Sequence, residues 1–479
     1  MNHPADKHSC RGPDYAASTR RNFMRFGIAG FGSLSLPGML RLRAATAGES
    51  GSASTDRKKN AVIMVWQPGG CSHIDTYDPK PGAPLEYRGP FGTIPTKIPG
   101  MRFTELLPRQ AAIADKFIVH RGMFNGASGH PAGSMQMFSG DDDKRDKPKP
   151  KLPDWMSVTN YLRSQDGPRT NPLPAYVSLN AATVYNGPAY LGDAYGPFGV
   201  NGDPNSPKFV VPNIGMSNPR EIERLQRRIG LREQLDTLQR SFDTYGELGA
   251  LDKFESQAMT LLTSSETKEA FDLSKEDDAT RDRYGRNAWG QQLLLARRLV
   301  EAGVDVITSS LRGPLCGRVG NWDDHAVNHN VFDALRFRAQ AYDQGVTALI
   351  EDIYDRGLDQ RVMVVVTGEF GRTPKVNYKP STGAGDASAA AGTQQPGRDH
   401  WPRAFSNLWA GGGLKTGGFI GGTDKLGEDA IERRSGPGDF LATVYHHLGI
   451  DSSKVFIKDF NGRPTPIVDH GKPIQDLTS

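Results

Sequence analysis

The chain has 479 residues, a formal net charge of +4, 37% hydrophobic residues and 88 glycines plus prolines (55 and 33). That balance excludes a helical rod and a wholly disordered chain, and fits a loop-rich globular protein, either one large α/β domain with insertions or two or three average ones. Three cysteines exclude a disulfide scaffold, and neither a CxxC nor a Cys/His zinc pattern is present.

The amino terminus reads as a targeting segment over residues 1–47. Arg20-Arg21 precede Phe26 to Leu40, an uncharged stretch of fifteen residues, and Ala45-Thr46-Ala47 offers small residues for cleavage. The pattern resembles a twin-arginine export signal, which predicts the twin-arginine machinery as a partner and a periplasmic or secreted location. The stretch is shorter than the ~20 apolar residues that span a bilayer, so no membrane span is expected in the mature chain. Residues 1–47 carry seven Lys/Arg and two Asp/Glu, a net of +5, and removing them takes the formal charge from +4 to −1. A mature chain without a basic surplus excludes nucleic acid as a partner.

Residues 48–59 form a polar linker, and the α/β domain is expected over 60–470. Asn60 to Gln67 is an apolar, β-branched run stopped by Pro68-Gly69-Gly70, which predicts a central strand and a tight loop. Further strands are expected at Phe117 to Val119, Ala175 to Leu179, Val304 to Ile307, Val362 to Val366 and Leu408 to Ala410. Ala288 to Gly303 has helical spacing with Gly303 as its cap, and Ala334 to Arg356 repeats the arrangement. This βαβ alternation predicts a mainly parallel sheet with helices on both faces, a three-layer sandwich. Gly140 to Pro153 reads as a solvated loop, about 218–282 as a charged helical insertion, and about 381–396 as a flexible low-complexity loop.

Three segments place acids or imidazoles just past strands or tight loops: Ala61 to Asp75, Arg361 to Pro374 and Gly397 to Pro402. Catalytic groups of open α/β sheets gather at the carboxyl ends of strands, so these segments predict one assembled site. Asp75 is read either as a metal ligand or as part of an Asp/Thr turn. Glu369 is either a ligand at the end of its strand or the partner of Arg372, which could alternatively hold an anionic substrate. Asp399-His400 and Trp322-Asp323-Asp324-His325 with His329 are two further acid and imidazole clusters. Five of eleven histidines (His73, His130, His325, His329, His400) fall in Gly, Pro or Asp-rich loops, the pattern of a metal site assembled from several loops. Ser128 and Ser134, flanking Gly129-His130-Pro131, are candidate nucleophiles beside a helix amino terminus. No G-x-S-x-G elbow, P-loop or post-strand G-x-G-x-x-G occurs, which removes serine-hydrolase, nucleotide-triphosphatase and dinucleotide readings.

Several separated motifs resemble, in order, the bacterial exported proteins grouped as domain of unknown function 1501. They are Gly69-Gly70-x-Ser72-x-x-Asp75-Thr76-Tyr77-Asp78-Pro79-Lys80, Tyr284-Gly285-Arg286, Trp322-Asp323-x-His325, Gly368-Glu369-Phe370-Gly371-Arg372-Thr373-Pro374 and Gly397-Arg398-Asp399-His400-Trp401-Pro402, with Ala410 to Gly413 and the DFLATVYHHLGI helix. That family resembles a branch of the alkaline-phosphatase and sulfatase superfamily. The resemblance implies an alkaline-phosphatase-like fold and one or two divalent ions (zinc, manganese, magnesium or calcium). It also implies hydrolysis of a small anionic phosphate or sulfate ester, or of such a group on a polysaccharide. Carried over by position, Asp75, Asp323, His325, Glu369, Asp399 and His400 would be the metal ligands, and Ser128, His130, Ser134 and Arg372 the catalytic set. Phe370 stands where many relatives place a ligand His, and His130 stands at the nucleophile's place. These departures favour the alternative of a non-catalytic scaffold that binds an envelope polysaccharide or protein.

Overall fold

In the computed structural model, which describes residues 59–478 apart from 167–168, 170, 181–184, 212–213, 215–222, 225–226, 228–263, 314 and 316–319, eight strands build one sheet. The segments expected to be a targeting signal (1–47) and a linker (48–59, up to residue 58) and most of the expected helical insertion lie outside the described residues. In chain order the strands are β1 Ala61–Trp66, β2 Phe117–Met123, β3 Tyr176–Leu179, β4 Phe198–Val200, β5 Val306–Ser310, β6 Val362–Thr367, β7 Phe405–Gly411 and β8 Gly418–Ile420. Their spatial order is β8-β2-β7-β6-β1-β5-β3-β4. β7 runs antiparallel to both neighbours, and every other pairing is parallel. The six predicted strands are all present; β4 and β8 escape sequence reading because each is a three-residue edge strand with a glycine in it and no apolar run.

β1 shows why a central parallel strand is apolar throughout. Ala61, Ile63 and Val65 enter one core, while Val62, Met64 and Trp66 enter the other, and none is exposed. β6 divides in the same way, with Val362, Val364 and Val366 on the first side and Met363 and Val365 on the second. Helices cover both faces. Ala288–Glu301 and Val331–Asp355 bury Leu293, Leu299, Leu335 and Leu349 in the first core, whereas Trp155–Ser164 and Pro437–His447 bury Trp155, Met156, Phe440 and Leu441 in the second. Each fully buried side chain of this size contributes about 1.5–3 kcal/mol, which fixes the three-layer α/β arrangement.

Both expected long helices are present, the second beginning at Val331, three residues before the expected Ala334. Gly303 follows the helix Ala288–Glu301 with φ +103°, the left-handed conformation a glycine cap supplies. Asn330 begins the helix Val331–Asp355 by accepting hydrogen bonds from Phe332 N and Asp333 N at 3.1 and 3.4 Å. Replacing it by Ala is expected to cost about 1 kcal/mol. The readout is a lower denaturant midpoint at unchanged slope.

Register decides where the chemistry goes. Trp66 at the end of β1 stands level with Ser310 of β5 and Thr367 of β6, so three parallel strands finish abreast and release their loops on one edge. β2 ends on that edge too, and β7, running the other way, begins there, with Phe405 opposite Met123. Among the described residues no helix is long and apolar enough to cross a membrane.

Candidate metal centre

The loops after β1, β2, β5 and β6 and the one before β7 meet at this edge. After β2 the chain turns into the helix His130–Ser139, which puts His130 in its first turn. Gly129 precedes it without a capping side chain; Asp146 accepts instead from Ala132 N at 3.1 Å, so the 140–153 loop folds back to hold this helix end. After β5, Trp322 and Asp324 turn inward and Asp323 and His325 face the opening. Trp322 is 2% exposed, and Asp324 makes a two-pronged pair with Arg338 at 2.6 and 2.7 Å. After β6 come Glu369, Phe370 and Arg372. Before β7, His400 and Trp401 pair antiparallel with Arg372 and Gly371, which joins the last two loops.

Three imidazoles converge on Asp323. His325 Nε2 and His400 Nε2 both lie 3.0 Å from Asp323 Oδ1 and 3.0 Å from each other, and His130 Nε2 lies 3.3 Å from Asp323 Oδ2. Each ring is oriented through its other nitrogen. His130 Nδ1 bonds Glu369 Oε1 at 2.8 Å, His325 Nδ1 bonds Asp399 Oδ1 at 2.6 Å, and His400 Nδ1 bonds the Ser128 carbonyl at 2.7 Å. With its Nδ1 proton given to an oxygen, a neutral ring would turn the Nε2 lone pair toward a cation, the arrangement that surrounds metal-ligating histidines.

Charge follows the same geometry. Burial would lower the pKa of His130, but its hydrogen bonds to Asp323 and Glu369 and their negative charge raise it to about 9. The bond to Asp323 likewise raises His325. Burial would raise Asp323, yet bonds from His130, His325 and His400 and the Arg372 charge hold it far below the usual carboxylate range. Asp399 is partly buried, which would raise it, but His325 and Lys379 hold it low.

The residues fit a divalent cation. Donor atoms of His130, Asp323 and His400 lie within 4.8 Å of one another, and donors of a tetrahedral zinc site stand about 3.3 Å apart. Glu369 adds a second indication. Its Oε1 receives Gly69 N at 2.7 Å and His130, while its Oε2 is buried without a hydrogen-bond partner. An unmatched buried carboxylate oxygen costs about 1–3 kcal/mol, which a nearby cation would offset. The side chains of His130, Asp323, His325 and His400 are 19–30% exposed, so the cluster remains open to a ligand.

Two glycines let the loops meet. Gly69 has φ +104°, and a Cβ there would sit 2.5 Å from Asp323 N; Gly70, with φ +85°, would place one against the Phe370 carbonyl. Gly69→Ala is therefore expected to push the Asp323 loop off β1. It should abolish metal binding while the far-ultraviolet spectrum stays native, measured by zinc titration beside circular dichroism.

The structure brings together His130, Asp323, His325, Glu369, Arg372, Asp399 and His400, and keeps other predicted residues apart. Asp75 is fully buried beside Arg398, with Arg398 Nε 2.8 Å from its Oδ2 and Ser72 Oγ donating at 2.6 Å. Ser128 reaches the cluster by its carbonyl, and Ser134 is 1% exposed inside its helix. Arg372 pairs with Asp323 at 2.6 Å rather than with Glu369, and also donates to the carbonyls of Gly69, Gly70 and Arg398. His73 and His329 are not among the residues bonded to Asp323; His73 Nε2 bonds the Gly427 carbonyl at 2.8 Å. Phe370, 1% exposed, packs its ring 4.6 Å from that of His400 and 5.4 Å from that of His130. Residues that sequence reading missed are Asn125, which bonds the Glu369 and Gly133 carbonyls, and Asn377 and Lys379, which both bond Asp399. The only signal for the last two was their place beside the low-complexity segment.

Among curated proteins none matches. Solved structures that are similar include the lipoteichoic acid synthase LtaP from Listeria monocytogenes, at 12% identity over 91% of this chain and 82% of that one, TM-score 0.36. A protein in the alkaline phosphatase superfamily from Vibrio parahaemolyticus matches at 12% identity over 94% and 78%, TM-score 0.35. The phosphonate monoester hydrolase of Agrobacterium radiobacter matches at 11% identity over 88% and 77%, TM-score 0.34. The model of the family described as protein of unknown function DUF1501 matches residues 59–478, and the chain belongs to that family.

Proposed function

We propose that this chain is an exported metal-dependent hydrolase of phosphate or sulfate esters on an alkaline-phosphatase-like scaffold, with His130, Asp323, His325 and His400 as the metal ligands. The observation that carries the reading is the convergence of three Nε2 atoms on one carboxylate, each ring held by an oxygen on Nδ1. Imidazole with carboxylate suits zinc, and manganese, magnesium or calcium are the competing ions. A bound divalent cation would polarise a phosphoryl or sulfuryl oxygen and neutralise the charge that develops on it.

The remaining work falls to the chain. Glu369, Asp399 and the Ser128 carbonyl hold the three Nδ1 protons, so the rings keep their orientation through the reaction. Arg372, buried and bonded to backbone carbonyls, braces Asp323. Water is the attacking group in this reading, because Ser134 is buried and Ser128 presents its carbonyl to His400. Water adds to phosphorus or sulfur, the bond to the ester oxygen breaks, and that oxygen leaves as the alcohol with one of the water protons. The twin-arginine pattern of residues 1–47 supports export of the folded, metal-loaded protein.

Metal analysis of the mature chain tests the centre: about one equivalent of zinc or a related ion is expected, lost in His400→Ala. Hydrolysis is read with para-nitrophenyl phosphate, its diester and the sulfate. Protein that takes up no metal and whose melting temperature ignores chelators would overturn the proposal.

Phe370 favours a second reading. Its ring fills the space beside His130 and His400, as in a scaffold that keeps the metal to bind an envelope polysaccharide or protein. Turnover that disappears in Glu369→Gln sinks that reading.

A further inference from the structure

We propose that Lys379 receives the anionic group of the substrate, so that the site selects esters that retain a negative charge; this rests on the reading of a divalent cation held by Asp323 and the imidazoles. Arg372 and Lys379 are the Lys and Arg side chains in ion-pair contact with the carboxylates of Asp323, Asp399 or Glu369 among the described residues. They differ in what they can still reach. Arg372 is 1% exposed and bonded to three backbone carbonyls as well as Asp323. The Lys379 side chain is 44% exposed.

Lys379 is also loosely committed. Asp399 already receives His325 Nδ1 at 2.6 Å and Asn377 Nδ2 at 2.7 Å, and the Lys379 ammonium lies farther, at 3.2 Å. A part-exposed pair of this kind is worth about 0–1 kcal/mol, so the ammonium turns toward an incoming anion at small cost and has three N–H groups to offer. Its backbone is fixed nonetheless. Asn377–Pro380 pairs with Gln394–Gly397, and the intervening loop is tied to the segment that follows His325. Thr382 N donates to the Val327 carbonyl at 3.0 Å, Asn330 N to the Ala387 carbonyl at 2.9 Å, and Gln395 Nε2 to the Ala326 carbonyl at 2.7 Å. The loop after β5 thus positions the candidate ligands and the lysine together.

Net charge gives the reason for a lysine here. With neutral imidazoles, the three carboxylates Asp323, Asp399 and Glu369 stand against Arg372, Lys379 and a divalent cation, which leaves one positive charge. Without Lys379 the loaded site is neutral. The ammonium therefore turns a balanced centre into an anion-attracting one.

Titration of the mature chain with inorganic phosphate, in zinc-loaded and metal-free forms, tests this. Zinc-loaded wild type is expected to bind phosphate, Lys379→Met to bind it about tenfold more weakly, and Lys379→Arg to stay within about threefold. Zinc affinity of Lys379→Met is expected within about threefold of wild type, which separates anion binding from damage to the centre. Equal phosphate affinity in Lys379→Met and wild type, or none in zinc-loaded wild type, overturns the proposal. If zinc does not bind at all, the metal reading fails by itself. The metal-free titration then decides for Lys379: a loss in Lys379→Met upholds anion binding, and no difference or no binding refutes it.

Discussion

Asp323→Ala is expected to weaken zinc binding by more than about 100-fold, beyond the 10–100-fold that loss of a residue orienting a ligand costs. Asp323 is the point on which His130, His325, His400 and Arg372 converge, so its removal takes away a donor and leaves three imidazoles without the charge that gathers them. Glu369→Gln should show the smaller effect, because it removes the charge behind His130 Nδ1 and Gly69 N but leaves Asp323 and the three imidazoles in place. Competition titration against a zinc-binding dye ranks the two. An Asp323→Ala protein that binds as wild type does would remove Asp323 from the ligand set.

The pH dependence has opposite signs in the two states. His130 has an ordinary pKa of 6.5 and is raised to about 9 in the metal-free fold. A raised pKa stabilises the fold fully below the unfolded value and loses that contribution as pH climbs through the folded one, so metal-free protein should lose stability between about pH 6.5 and 9. Zinc must displace the proton on Nε2, so its apparent affinity should rise over the same interval, with proton release measurable by calorimetry in two buffers. Zinc affinity that does not change between pH 6.5 and 9 would contradict a His130 ligand.

Sequence reading found most of the sheet because its signal is local: each central strand is a short apolar run with a glycine or polar stop. It also found the acid and imidazole loops, since strand ends at one edge of a parallel sheet must come together. Partner choice is another matter. Asp75 and Asp323 both follow a strand and both lie among polar neighbours, yet one meets Arg398 in the interior and the other meets three histidines at the opening. Spacing along the chain does not encode which of two acids a buried arginine 323 residues away will take. His130 was legible as an unusual residue at a helix start; its bond to Glu369, 239 residues distant, was not. Lys379 lay beside a low-complexity stretch whose hydrogen bonds to residues 326–330 have no signature in composition.

Asp75→Ala is expected to destabilise the protein by about 3–5 kcal/mol, because it leaves the Arg398 guanidinium buried without its counter-charge. Both side chains are 0% exposed, and Arg398 also donates to the carbonyls of Thr373, Pro374 and Tyr87, so it cannot swing out to water. The damage would spread to the centre. Arg398 N donates to the Asp324 carbonyl and its own carbonyl accepts from Arg372, while Asp399 and His400 come next in the chain. Zinc affinity should therefore fall in Asp75→Ala even where Asp75 acts as a brace and not as a ligand. The double variant Asp75→Leu, Arg398→Met separates brace from ligand. Replacing both charges by apolar groups removes the buried unpaired guanidinium, and such exchanges of whole ion pairs are often neutral in stability. If Asp75 is a brace, the denaturant midpoint and the zinc affinity recover together in the double variant. If it is a ligand, the midpoint recovers and zinc affinity does not.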